Sequence, residues 1–367
     1  MSKLYKVVIA CGGTGGHLFP GIAVAETLQA RGHDVLLLIS KKTVDKEASA
    51  KYGSLKFETV EAVAKPPTLS PRMIPFLWRM WKTTRRCAAL LREHQADAVL
   101  GMGGFTSLPP VYAGHKLGLK TFVHDSNARP GRANVLTSRF CNRVFLGMAA
   151  AEPFFEGRDT VVTGTPVRAE MVKLPTRAEG AAAFGLDPDT TRPVLLVMGG
   201  SQGAKRLNEL VAESAALFPA NIQILHIAGT LDHDRVKATA GDRPGYVVVG
   251  FCDKMALAYA ASDLMLARSG ASSLTEIAHA GLPSILVPFP SSADDHQTRN
   301  AEVFSTVGAA ELIQQVDLDA AKLAKVASNI LNDLQTRHRM AQAARALDTP
   351  DASARICDAI EASLSSK

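Results

Sequence analysis

Val7-Val8-Ile9-Ala10-Cys11-Gly12-Gly13-Thr14-Gly15-Gly16-His17 opens the chain with a short apolar run that ends in a cluster of glycines. A run that is apolar at every position, not at alternate ones, fits a strand covered on both faces, as in a parallel sheet. The glycines read as a turn over residues 12–16, followed by helical periodicity over residues 20–31, a stop at Gly32 and a second strand over residues 35–39. Strand, glycine turn, helix and strand make a βαβ unit.

The pattern restarts midway, where Val194-Leu195-Leu196-Val197-Met198 leads into Gly199-Gly200-Ser201-Gln202-Gly203. Gly12-Gly13-Thr14 lies over Gly199-Gly200-Ser201, and Gly16 over Gly203. Alternating strands and helices follow each start, so the expected fold is α/β, with two Rossmann-like domains whose parallel sheets face across a cleft. Ligands in such sheets bind beyond the carboxyl ends of the strands. The expected domains are residues 1–166 and 167–348, divided near Gly164-Thr165-Pro166-Val167-Arg168. A last helix over residues 351–364, with Ile356, Ile360 and Leu364 on one stripe, is expected to pack back on the first domain.

Composition agrees with this division. A chain of 367 residues that is 47% apolar and 21% charged supplies two ordinary hydrophobic cores. The five cysteines are scattered without paired or zinc-like spacing, the pattern of reduced cytosolic thiols. The first apolar run is too short for a signal peptide, and no run is long enough to span a bilayer. A net charge of +6 fits either an ordinary solvated surface or attraction to phosphate and anionic lipid.

Glycine turns at helix starts bring backbone N–H groups and the positive helix end close to an anion. Residues 12–16, 101–104 and 199–203 are three such turns, and together they favour a phosphate-bearing ligand. The dinucleotide fingerprint fits less well, because the second strand ends in Ser40-Lys41-Lys42 and not in an acid. The basic pair keeps an NADP-dependent oxidoreductase open as a distant alternative. His17 follows the first turn and reads equally as a structural residue or as a base facing a ligand. In Arg268-Ser269-Gly270-Ala271-Ser272-Ser273-Leu274-Thr275-Glu276, the spacing from Ser273 to Glu276 is that of a capping box. The competing reading has Glu276 accept the hydroxyls of a ribose. The triplets Asp187-Pro188-Asp189 and Asp232-His233-Asp234 read as solvated turns, and no metal site is expected.

Taken in order, these turns, with Arg268-Ser269-Gly270 and Glu276, and Asp295-His296-Gln297 with Asn300-Ala301, resemble the MurG glycosyltransferases over nearly the whole chain. The resemblance implies a GT-B fold. It also implies inverting transfer of N-acetylglucosamine from UDP-N-acetylglucosamine to lipid I, the undecaprenyl-pyrophosphoryl muramoyl-pentapeptide, giving lipid II for peptidoglycan. By position, Thr14, Gly15 and Gly16 line the site near the donor sugar and acceptor pyrophosphate, and Asn127 touches the sugar. Arg168 and Ser201 hold donor phosphate. Ala271, Ser272, Ser273, Leu274, Thr275 and Glu276 surround uridine and diphosphate, with Glu276 on the ribose. Gln297 contacts N-acetylglucosamine, and the backbone of Cys252 meets uracil. His17 is the candidate base, with Asp125 second. Many members read His-Glu-Gln-Asn where this chain has His124-Asp125-Ser126-Asn127. No cofactor and no nucleic acid are expected. The alternatives are a related GT-B enzyme using another nucleotide sugar or acceptor, and a non-catalytic lipid-pyrophosphate binding module.

Both tryptophans fall in one segment, where Ile74, Leu77, Trp78 and Trp81 share a helical stripe near Arg72, Arg79, Lys82, Arg85 and Arg86. The stripe reads either as the buried face of an amphipathic helix or as an interfacial patch. With a lipid acceptor implied, the patch is the expected reading: Ile74, Leu77, Trp78, Trp81 and Lys82 on the cytoplasmic face of the plasma membrane.

Overall fold

The opening apolar run forms β1 (Lys6–Ala10), which is covered on both faces because it lies inside a parallel sheet. Val7 pairs with Val35 of β2 (Asp34–Ile39) on one side and with Ala98 of β4 (Ala98–Gly101) on the other. A computed structural model describes residues 3–13, 15–40, 52–61, 66, 70–71, 73–199 and 204–366. Adding β3 (Lys56–Thr59), β5 (Lys120–Asp125), β6 (Arg143–Leu146) and β7 (Thr160–Val162), the described strands of this sheet run β3-β2-β1-β4-β5-β6-β7, all parallel.

A second sheet repeats the order. Its strands are β8 (Val194–Met198), β9 (Gln223–Ile227), β10 (Tyr246–Val249), β11 (Leu264–Ala267), β12 (Ser284–Leu286) and β13 (Ala310–Leu312), arranged β10-β9-β8-β11-β12-β13 and again parallel. In each sheet the direction of strand addition reverses between the first and fourth strands. Such a switch point leaves a crevice outside the carboxyl ends, because the two crossover helices depart to opposite faces. The crevices fall beside β1 and β4 in one sheet and beside β8 and β11 in the other.

The chain divides into one unit of Met1–Arg168 with Thr349–Lys367 and another of Ala169–Asp348. The last helix, Ala352–Ser365, belongs to the first. Ile356, Cys357 and Ile360 enter the core with Leu18, Ile22 and Leu28 of the first helix. Burying Ile356 and Ile360 completely contributes about 1.5–3 kcal/mol each. Arg31 bonds Asp358 and Glu361 at 2.7 and 3.0 Å, and His33 meets Glu361 at 2.8 Å. Apolar contact thus seats the helix, and the charged rim sets its rotation.

The division between the units falls two residues later than in the sequence reading, after Arg168, and the start of the first helix differs too. The first helix runs Gly15–Ala30, so Pro20 lies inside it and not at its start. Proline lacks the N–H owed to the carbonyl four residues back. Glycine loop and helix therefore overlap, which places His17 in the first helical turn.

Candidate active site

In the first unit the site grows from the carboxyl ends of β1, β4 and β5. Gly12 approaches the end of β2 so closely that an added Cβ would overlap the backbone of Ile39 and Ser40. Gly103 and Gly104, after β4, have φ of +114° and +72°, a region that side chains rarely adopt. This twist opens room for His17. An added Cβ at Gly103 would sit 3.1 Å from His17 Nε2, and one at Gly104 would sit 3.2 Å from its Cε1. The imidazole rests on bare backbone, half-buried at the switch point.

Hydrogen bonds hold that loop. Thr106 Oγ1 donates to the Gly12 carbonyl at 2.8 Å, joining the two glycine turns. The Gly104 N–H donates to Asn134 Oδ1 at 2.9 Å, and Asn134 Nδ2 donates to Asp125 Oδ2 at 2.7 Å. Asp125 also accepts from the N–H of Asn127 at 2.9 Å and of Gly131 at 3.1 Å. Burial, the largest influence, pushes its carboxyl above the usual range despite these donors. With its oxygens occupied and only 1% of its surface exposed, Asp125 is built as an anchor for Asn127 and Asn134, not as an accessible base. Asn127 is half-buried beside it. Neighbouring His124 donates from Nε2 to the Gly164 carbonyl at 2.9 Å, and burial pushes its pKa down to about 4, so it stays neutral. Gly15 and Gly16 are half-buried at the helix start, and the Arg168 guanidinium lies 5.1 Å above the ring of Phe19. Thr14 and Ser201 lie outside the described residues.

In the second unit the decisive helix is Ala271–Ala280, after β11. Its N-cap is Gly270, so Ser272 and Ser273 are already helical and the capping box read from Ser273 to Glu276 does not form. Glu276 instead accepts from Tyr259 OH at 3.0 Å with 8% of its surface exposed. A glycine N-cap presents no side chain to this helix end, whose N–H groups and partial positive charge suit an anion. Ala271 is buried and Thr275 bonds back to the Ala271 carbonyl at 2.9 Å. Leu274 departs from the expectation for this run: its side chain is fully buried in the core and its N–H bonds the Gly270 carbonyl.

Arg268 braces the loops around this helix. Its guanidinium donates to the carbonyls of Val287 and Pro288 at 3.0 and 3.1 Å and to Gln315 Oε1 at 2.6 Å. Burial lowers its pKa to about 10. Ser269 Oγ donates to the Gln297 carbonyl at 2.7 Å, while Gln297 Oε1 accepts from the Phe289 N–H at 2.9 Å, which orients the Gln297 amide. Cys252 is half-buried beyond β10, beside an exposed Phe251. Of the acidic triplets, Asp187 closes a turn on the Asp189 N–H, whereas Asp232 accepts from Asn208 Nδ2 and Arg235.

The tryptophan segment lies on the helix Met73–Glu93, and its apolar stripe is exposed. Ile74, Leu77, Trp78 and Trp81 are 78%, 57%, 58% and 55% exposed. Lys82 Nζ lies 5.4 Å from the Trp78 ring centroid, and the Arg85 guanidinium 4.9 Å from that of Trp81. Among the described residues no helix is long and apolar enough to cross a membrane.

Tyr259 and Asn134 were not legible as site residues. Each acts through a partner distant in sequence, and no local pattern marks either.

Residues 7–146 match the glycosyltransferase family 28 N-terminal domain, and residues 194–356 match the corresponding C-terminal domain. A solved glycosyltransferase of kitacinnamycin shares the fold at 15% identity and TM-score 0.73, covering 99% of this chain and 100% of that one. The paired parallel sheets and these domain matches define a glycosyltransferase of the GT-B class. A UDP-N-acetylglucosamine--N-acetylmuramyl-(pentapeptide) pyrophosphoryl-undecaprenol N-acetylglucosamine transferase from Xanthomonas oryzae pv. oryzae is 38% identical, covering 98% of this chain and 79% of its own length. The transferase of the same name from Halorhodospira halophila is 36% identical, covering 97% of both chains. The crystal structure of Acinetobacter baumannii MurG aligns with TM-score 0.79 at 27% identity, over 98% of this chain and 99% of that one. The chain belongs to the MurG family.

Proposed function

We propose that this chain transfers N-acetylglucosamine from UDP-N-acetylglucosamine to undecaprenyl-pyrophosphoryl-MurNAc-pentapeptide, with inversion at the anomeric carbon, giving lipid II. The observation that carries the donor assignment is Glu276. Freed from capping and held by Tyr259, it stands one turn behind a helix start suited to an anion. A carboxylate that accepts from a ribose beside a diphosphate seat is the recognition a UDP-sugar requires, at roughly 1.5–3 kcal/mol per charged hydrogen bond. Ser201 and Arg168 add to the diphosphate seat, Gln297 meets the sugar, and the Cys252 backbone meets uracil.

The first unit supplies the acceptor side. Gly15, Gly16 and Thr14 receive the pyrophosphate, and Asn127, steadied by Asp125, meets the sugar. The acceptor hydroxyl bonds to the anomeric carbon as the bond to UDP breaks. His17 takes the hydroxyl proton, and the leaving diphosphate carries away the electron pair. Helix amino ends and Arg168 stabilise its growing charge.

The exposed tryptophan stripe with its basic residues lies at headgroup depth on the cytoplasmic face of the plasma membrane, where the acceptor resides. Basic residues near an anionic surface contribute about 1 kcal/mol each.

The test is UDP release from UDP-N-acetylglucosamine on adding a lipid I analogue. Turnover only with a different nucleotide sugar, or only with a diffusible acceptor, would replace this reading with that of a related GT-B enzyme.

A further inference from the structure

The helix Met73–Glu93 carries two stripes. The outer one holds Ile74, Trp78 and Trp81. Phe76, Met80, Thr83, Cys87 and Leu90, spaced alternately four and three residues apart, form the inner one. Thr83, Cys87 and Leu90 are buried in the first unit, and Phe76 and Met80 are half-buried. At the amino end of the inner stripe the Phe76 ring meets Phe105 edge-to-face, with centroids 6.4 Å apart and planes at 85°. That geometry is a favoured aromatic pairing.

Phe105 directly follows Gly103 and Gly104, the residues on which the His17 imidazole lies. Two glycines with positive φ have little intrinsic preference for one conformation, so the loop takes its shape from its ties. Gly103 and Gly104 are tied through their N–H groups to Ser107 and Asn134, and Thr106 through its hydroxyl to Gly12. Among the described residues the ring partner of Phe105 is Phe76.

We propose that Phe76 is a positioning residue for the acceptor side of the site, acting through Phe105 on the Gly103-Gly104 turn and thus on His17. The helix that presents the lipid-facing stripe then also forms one support of the acceptor loop. This inference rests on the transferase reading above. The consequence is a separation of effects. Phe76 lies off the outer stripe, so its loss leaves vesicle binding intact and changes how the acceptor is held.

The experiment is steady-state UDP release with a short-chain, water-soluble lipid I analogue in vesicle-free buffer, beside flotation with anionic phospholipid vesicles. Phe76→Ala is expected to raise the analogue KM roughly two- to tenfold, the scale of one aromatic pair. The KM for UDP-N-acetylglucosamine and the flotation stay at wild-type values. Phe76→Leu keeps the apolar volume without the ring edge and shifts the analogue KM in the same direction, while Phe76→Tyr restores it. Adding Phe76→Ala to Phe105→Ala worsens nothing further. An unchanged analogue KM in both Phe76→Ala and Phe76→Leu overturns the assignment, as does a double variant whose defects multiply. Equal rises in both KM values also overturn it, since they mark general loosening. A wild-type chain that releases no UDP overturns the transferase reading itself, whereas wild-type turnover with silent Phe76 variants overturns the Phe76 assignment alone.

Discussion

Acidification from pH 7 to pH 5 acts on two buried imidazoles, one in each unit. Burial holds His124 and His226 down to about 4, against an ordinary value of 6.5. Between those values the unfolded chain binds more protons than the folded one, so stability falls as pH falls. From pH 7 to pH 5 the loss is about 2 kcal/mol per ring. For His226 the structure shows which bond a second proton breaks. Asn208 Nδ2 donates to the Ala228 carbonyl and to Asp232, which leaves Asn208 Oδ1 to accept from His226 Nε2 at 3.0 Å. His226 Nδ1 must then accept from Tyr246 OH at 2.9 Å, and protonating it removes that acceptor. His279 works in the opposite direction. Its bond to Asp348 raises its pKa, so its contribution is present at low pH and lost as pH rises through the raised value. The difference between wild type and His226→Gln isolates the ring. The variant is expected to be less stable at pH 7 yet to lose about 2 kcal/mol less on going to pH 5. Urea unfolding at the two pH values, followed by circular dichroism, measures this. Equal losses in both proteins would refute the reasoning.

Tyr259→Phe removes the hydroxyl that holds Glu276 and is expected to raise the KM for UDP-N-acetylglucosamine roughly tenfold, the scale of one charged hydrogen bond. Unaltered UDP affinity by titration calorimetry would argue for a purely structural contact. Trp78→Ala combined with Trp81→Ala is expected to weaken flotation with anionic vesicles, and undiminished binding by the folded variant would remove the interfacial role. Gly164→Ala forces a side chain to φ +74° against Thr349, with an expected loss of about 1–3 kcal/mol. An unchanged thermal midpoint would show that the backbone there relaxes freely.

The strand–glycine–helix starts at Val7 and Val194 were legible because burial on both faces and close backbone approach impose local residue choices. Continuous apolar strands and glycine turns leave a pattern that needs no knowledge of distant residues. The exposed tryptophan stripe was only half legible: helical spacing defines a face but does not say what covers it, and only the fold left Ile74, Trp78 and Trp81 uncovered. The spacing from Ser273 to Glu276 satisfied a capping rule, yet the helix began at Ala271, and Tyr259 on another helix claimed the carboxylate. Asn134 and Asp125, nine residues apart, became partners across the end of β5. Arg268 became a brace because two separate loops, one after β12 and one after β13, converge on it. Periodicity and turn chemistry are written along the chain, whereas hydrogen bonds between elements depend on which strand ends the sheet order brings together.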